Sequence, residues 1–238
     1  SQRIALSLLQ SPTSNLPHKS LVTSRQPDLG YSIGANASDY NHLWNGQTTL
    51  DCYYLAELLL NTNPELIIGL FENFIAVQAE DGSIDGKPGL GGQRAHFVAT
   101  PMLTHLAWKI YRQTGEIGFL EEYFEPLTRF YSSWFTPSRD RDQDSIPEWS
   151  HLMQTGLDDH PIFSHNMVNA QGVDPACVES PDLCAYLYKE NITLQRIAKI
   201  IHREDVLTEL QLVAEILQAA VLTSWNAADS CYHYWDRE

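Results

Sequence analysis

Residues 103–134 read LTHLAWKIYRQTGEIGFLEEYFEPLTRFYSSW, and this stretch decides the fold class. Leu103, Leu106, Ala107 and Ile110 step at threes and fours, as do Phe119, Leu120, Tyr123, Phe124, Leu127, Phe130, Tyr131 and Trp134. Such spacing lines one face of a helix with 3.6 residues per turn. Between the two runs stands Gln113-Thr114-Gly115-Glu116, a glycine stop followed directly by a new helix start. The stretch therefore predicts two helices joined by a tight turn.

The layout repeats on both sides. Leu183, Leu187, Leu194, Ile197 and Ile201 mark one helix, and Val206, Leu210, Val213, Leu217 and Val221 the next. His202-Arg203-Glu204-Asp205 occupies the break between them. Upstream, helices are predicted over 50–61 and 65–79, with Pro64 placed to open the second. Three hairpins of similar length predict a repeated α/α architecture in a single domain spanning residues 1–238. The intervening segments, 11–48, 80–99 and 137–181, are rich in Gly, Pro, Asp, Asn and Ser. Loops of this length are uncommon in compact domains unless they carry function. Trp108, Trp134 and Trp225 fall in the helical runs and read as core.

Composition narrows the function. The 238 residues are 43% apolar, enough for a sizeable core. Lys and Arg total 15 against 30 Asp and Glu, a formal net charge of −15. That balance argues against nucleic acid and against anionic membrane surfaces, both of which need basic patches. It suits a cleft that presents carboxylates to a neutral, hydroxyl-rich substrate. No stretch reads as membrane-spanning, and no signal peptide opens the chain. Cys52, Cys177, Cys184 and Cys231 lack metal-ligand spacing and read as buried free thiols, which points to the cytoplasm. The histidines show no zinc-helix pairing, and neither a nucleophile elbow nor a phosphate loop is present. Oligomeric state is not legible.

The stretch Ile146-Pro147-Glu148-Trp149-Ser150-His151, followed by Gln154-Thr155-Gly156-Leu157-Asp158-Asp159-His160-Pro161, resembles the acid-bearing loop of inverting (α/α)6-barrel glycosidases. The relatives are processing α-glucosidase I, bacterial mannosylglycerate hydrolases and, more distantly, trehalases and amylo-α-1,6-glucosidases. Their loop often reads Glu-Ser-Gly-Trp-Asp-Asn-Ser-Pro, whose aspartate matches Asp158. Leu50-Asp51-Cys52-Tyr53-Tyr54 looks like the family's Trp-Asp-Ser-Tyr-Phe, and Pro181-Asp182-Leu183-Cys184-Ala185-Tyr186-Leu187 like its Asp-Leu-Asn-Ala-Tyr-Leu helix start. Tyr232-His233-Tyr234-Trp235-Asp236 resembles a later Tyr-x-Asp segment. Gln154 and Thr155 depart from the commoner Glu-Ser, Leu157 from an aromatic and His160 from a small hydroxyl residue, which leaves the sugar open.

The resemblance implies an all-α, incomplete (α/α)6 toroid whose later helices lie outside this chain. It implies inverting hydrolysis of an α-linked glucosyl or mannosyl saccharide. Such chemistry needs one carboxylic acid to protonate the leaving oxygen and one carboxylate to activate water. Asp158 fits the acid if Leu157, Pro161, Ile162 and Phe163 give it apolar surroundings. The general base falls beyond the chain. Asp51 is expected to hold sugar hydroxyls, though it stands equally well as a helix N-cap. Trp44 and Trp149 lie in loops, where a ring face suits a sugar, though Trp44 stands equally well as packing beneath its loop, and Gln93 is a secondary candidate for substrate contact. Two rival readings stay open: a carbohydrate-binding α-barrel without hydrolysis, and an α/α-repeat scaffold for protein partners.

No cofactor is required by this chemistry, but a calcium loop is written into 140–148. Asp140, Asp142, Asp144 and Glu148 occupy positions 1, 3, 5 and 9, with the Ile146 carbonyl at 7. Calcium takes six to eight oxygens, and this alternation supplies several. Ser145 stands where glycine normally turns such a loop, and His151 where a closing Glu would be. The alternative is a solvated acidic turn neutralised by Arg139 and Arg141.

Overall fold

The computed structural model describes residues 2–21, 46–90, 93, 97–156, 161–164 and 174–236. The chain divides into two compact units, Ser1–Leu120 and Glu121–Glu238.

In the first unit a short helix α1 (Gln2–Leu6) precedes a two-residue antiparallel ladder, β1 (Leu9–Gln10) with β2 (Ser20–Leu21). Three long helices follow: α2 (Thr49–Leu59), α3 (Pro64–Ala76) and α4 (Leu103–Thr114). Pro64 opens α3, as its missing N–H allows. The apolar stripe expected of α4 is the one observed, with Leu103, Leu106, Ala107 and Ile110 all buried. They share a core with Cys52, Leu55 and Leu59 of α2 and Ile67, Leu70, Phe71 and Phe74 of α3. Gly115 caps α4 at φ 74°, its N–H donating to the Tyr111 carbonyl at 2.8 Å. A left-handed cap of this kind is where glycine avoids the Cβ penalty. The break between the two sequence runs is therefore real, and α5 (Ile117–Ser132) starts two residues later, with the unit division falling inside it.

In the second unit α5 buries Phe124, Leu127, Phe130 and Tyr131. A single 3-10 turn over residues 133–135 then seats Trp134, which is fully buried. After a short α6 (Pro161–Ser164) come β3 (Val178–Glu179) and the longest helix, α7 (Pro181–Ile200). Its partner is α8 (Leu207–Thr223), and the two form the hairpin expected from their matching stripes. Leu183, Leu187, Leu194 and Ile197 face Leu210, Ala214 and Leu217 in the core. A polar thread crosses it: Asn191 Nδ2 donates to Tyr131 Oη at 2.8 Å, and Gln195 Nε2 to Asn191 Oδ1 at 2.8 Å. The chain ends in β4 (Trp225–Asn226), β5 (Cys231–Tyr232) and β6 (Trp235–Asp236); β4 pairs with β5, and β6 returns to pair with β3.

The all-α expectation holds, with only two-residue strands among the described residues. Three expectations do not. Trp225 is not core: α8 stops at Thr223, and the indole lies on a hairpin with 47% of its surface exposed, edge-on to Tyr232. Nor is the chain free of a stretch long enough to span a membrane, since the helical run Glu204–Thr223 meets that measure by length and composition. Its inner stripe packs on α7, while Leu212 and Leu222 are exposed. The cysteines are all free, but only Cys52 and Cys184 are buried and Cys231 is exposed.

Candidate functional site

In the second unit, chemistry concentrates on the segment 136–156 that leads out of α5. Its first part is a tight acidic turn. Asp140, only 4% exposed, accepts the N–H of Asp144 at 3.1 Å on one carboxylate oxygen and that of Ser145 at 3.0 Å on the other. Asp144 Oδ1 in turn accepts from Ile146 N at 2.8 Å. Gln143 and Ser145 adopt φ 61° and 72°. The position without a glycine therefore makes the left-handed turn with a serine, held there by Asp140. Carboxylate oxygens of Asp140, Asp142 and Asp144 come within 4.8 Å of one another. Glu148 lies buried behind them, its Oε2 accepting the Arg141 N–H at 3.3 Å. Burial first, then Asp140 and Asp144, push its carboxyl up to about 7.

Arg141 pairs with Asp174 at 2.7 Å, while Arg139 donates to the Ser133 carbonyl at 2.6 Å and to Thr136 Oγ1 at 3.2 Å. The donor set fits a hard divalent cation: three convergent carboxylates, with a buried fourth whose charge the cluster disfavours.

Trp149 follows directly. It is fully buried, edge-on to Trp134 at 5.7 Å and to Tyr186 at 6.3 Å between ring centroids. The expectation that it offers a ring face to a sugar is corrected by this enclosure; the indole instead anchors the segment. Its Nε1 donates to Asp182 Oδ1 at 3.3 Å, and Tyr234 also bonds Asp182. Burial and the Asp182 charge raise the Tyr234 hydroxyl well above the usual phenol range. Asp182, in the first turn of α7, thus ties together the loop, the helix and the C-terminal segment. In the sequence it reads only as part of a helix start.

The loop then closes on a capping box. Gln154 is fully buried, and its Oε1 accepts the N–H groups of Ser150 and His151 at 2.9 and 2.8 Å and the Ser150 hydroxyl at 3.1 Å. His151 Nδ1 accepts from Met153 N at 3.1 Å, so the side chain standing where a closing Glu would be is a cap. The departure to glutamine at 154 therefore has a structural role: a neutral amide oxygen gathers three donors. Gly156 ends the turn at φ 78°. Asp158, with Leu157, Asp159 and His160, lies outside the described residues, as does Trp44. Of the apolar neighbours expected for the acid, Phe163 is buried and Ile162 half-buried.

In the first unit, Asp51 sits three residues inside α2 rather than at its cap. Thr48 is the cap, its Oγ1 accepting from Asp51 N at 3.1 Å and donating to Asp51 Oδ2 at 2.8 Å. Asp51 remains half-buried. Buried Gln47 fixes the approach, donating to the Leu70 carbonyl at 2.7 Å while its Oε1 accepts from Asn73 at 3.2 Å. Gly46 pairs with Gly89 in a single bridge, so close that a Cβ there would meet the Pro88 carbonyl oxygen at 2.4 Å. Thr49 Oγ1 donates to the Thr100 carbonyl at 3.0 Å. The start of α2 is thus brought against Gly89 and Thr100, and Gln93, which lies between them in the sequence, is exposed.

The family described as the mannosylglycerate hydrolase MGH1-like glycoside hydrolase domain matches residues 58–238. No curated protein matches the sequence. Among solved structures, the GH63 mannosylglycerate hydrolase of Thermus thermophilus in complex with Tris is 13% identical, with a TM-score of 0.72 over 99% of this chain and 68% of that one. The same hydrolase in complex with glucose gives 14% identity and a TM-score of 0.66 over 80% and 59%. The α-L-rhamnosidase of Dictyoglumus thermophilum gives 18% identity and a TM-score of 0.51 over 72% and 18%. At these identities the likeness is one of fold. The chain spans 59% to 68% of the length of the two Thermus chains.

Proposed function

This chain belongs to the mannosylglycerate hydrolase MGH1-like glycoside hydrolase domain family, and on that premise we propose that it carries the general acid of an inverting glycosidase. The substrate is an α-linked glucosyl or mannosyl saccharide. One observation carries the reading: the family match over residues 58–238 spans both Asp158 and the helix start at Asp182. The Thermus relatives, named as mannosylglycerate hydrolases and one of them bound to glucose, support the sugar class.

In this reading Asp158 gives its proton to the departing glycosidic oxygen as the C–O bond breaks. Water, deprotonated by a second carboxylate, attacks the opposite face of the sugar. Asp51 holds substrate hydroxyls, Gln93 and Trp44 contribute further contacts, and the Gln154 cap fixes the loop. A calcium ion, held by Asp140, Asp142 and Asp144 with the Ile146 carbonyl and Glu148, would supply charge neutralisation that stiffens the turn.

The test is hydrolysis of α-mannosyl and α-glucosyl glycosides by the protein that carries this chain. Asp158→Asn is expected to lower kcat by roughly 100- to 10,000-fold, the range for loss of a general acid. Activity within a few-fold of wild type removes Asp158 from that role. Saccharide binding without hydrolysis in the wild type favours the binding-only reading.

A further inference from the structure

Where β6 returns to pair with β3, Glu179 and Trp235 are direct cross-strand partners. Directly opposed residues in an antiparallel pair send their side chains to the same face. Both line one cavity of about 150 Å³, together with Ser180, Cys184, Thr223 and Ser224. A cavity of this size takes a single small ring.

Ser180 is the residue that asks for a ligand. It stands at the N-cap position of the 20-residue α7 yet caps nothing with its side chain. The residue is fully buried, and its hydroxyl has no hydrogen-bond partner. Buried hydroxyls are normally paired, because an unmade bond destabilises the folded state. The neighbouring hydroxyls do not need a ligand in the same way. Thr223 Oγ1 donates to the Ala219 carbonyl at 2.9 Å, and Ser224 Oγ to that of Val221 at 2.8 Å. A free donor, a carboxylate and a flat indole that is half exposed therefore converge on one small space.

We propose that this cavity is a binding subsite for one neutral pyranose unit, whose CH face lies on Trp235 while its hydroxyls meet Ser180 Oγ and the Glu179 carboxylate. The saccharide class rests on the proposed glycosidase reading; the subsite itself rests on the geometry. Anions are disfavoured by Glu179 and by a chain of net charge −15. A metal ion is disfavoured because the remaining walls, Ile146, Pro181, Cys184 and the indole, offer side chains unsuited to a hard cation. A polyol with one apolar face satisfies all three groups at once.

The experiment is titration of the protein that carries this chain with methyl α-mannoside and methyl α-glucoside by saturation-transfer NMR and calorimetry. It is carried out in wild type and in Ser180→Ala, Trp235→Ala and Trp235→Phe. Ser180→Ala and Trp235→Ala are expected to weaken binding by about tenfold each at an unchanged or raised melting temperature, and Trp235→Phe to retain it. Glycoside binding indifferent to both Ser180 and Trp235 overturns the subsite while leaving the glycosidase reading intact. Loss of the glycosidase reading with Ser180-dependent binding preserved leaves the subsite standing. No glycoside binding, or binding of inorganic phosphate or Tris in its place, overturns the subsite.

Discussion

Trp149 donates its indole N–H to Asp182 Oδ1 at 3.3 Å, joining the loop 136–156 to the first turn of α7. The ring is enclosed by Trp134 and Tyr186, while the acceptor Asp182 is half-buried. Trp149→Phe keeps most of the packing and removes the donor. It is expected to cost about 0.5–1.5 kcal/mol in thermal or urea unfolding, the net worth of one hydrogen bond, because Asp182 keeps its bonds with Leu183 N–H and Tyr234. Trp149→Ala, which also opens a cavity, is expected to cost about 3–5 kcal/mol.

Thr48 holds the start of α2 through two bonds with Asp51. Thr48→Ala removes both and is expected to destabilise the protein by roughly 1 kcal/mol, visible as a fall in Tm. Thr48→Ser, which keeps the hydroxyl, should restore most of it.

Gly115 lies at φ 74° with nothing within 4 Å of the place a Cβ would take. Gly115→Ala therefore meets only the intrinsic left-handed penalty, about 1–2 kcal/mol, and no steric clash. Gly115→Asn, with its tolerance for this region, should cost less than alanine. Equilibrium unfolding of the three proteins separates these effects.

Glu148 gives the fold a pH dependence. Its carboxyl is pushed from the ordinary 4.5 up to about 7, chiefly by burial and then by Asp140 and Asp144. A carboxyl raised in the folded state binds its proton more tightly there than when unfolded, so it favours folding while protonated. The contribution is fully present below pH 4.5 and is lost as pH rises through about 7. The full displacement corresponds to roughly 3 kcal/mol. Measured in EDTA between pH 5 and 8, wild type should lose stability relative to Glu148→Gln, whose profile lacks this slope. Calcium bound by the acidic turn should flatten the difference, because a cation lets Glu148 ionise.

The long helices are legible in the sequence because each carries a 3.6-residue stripe bounded by a residue with a physical reason to stop or start it. Gly115 and Pro64 are the clearest cases. What sequence does not supply is the environment of residues outside the stripes. Trp149 sits in a loop and reads as available, yet Trp134 and Tyr186, distant along the chain, enclose it. Trp225 follows a helical run and reads as core, yet the helix ends at Thr223 and the indole is exposed. Asp51 and Thr48 are both good caps three residues apart, and only the backbone distinguishes them. Asp182 and Ser180 stay hidden because a hydrogen-bond hub and an unpaired buried hydroxyl have no sequence pattern. Asp158 stands out through family resemblance rather than by any physical pattern of its own.

Inversion driven by Asp158 is the central claim, and the most direct measurement is ¹H NMR of the anomer first released from an α-mannosyl or α-glucosyl substrate. The protein carrying this chain is predicted to release the β-anomer first, with mutarotation following. Release of the α-anomer first would contradict a single inverting displacement and, with it, the pairing of Asp158 as acid with a base across the sugar.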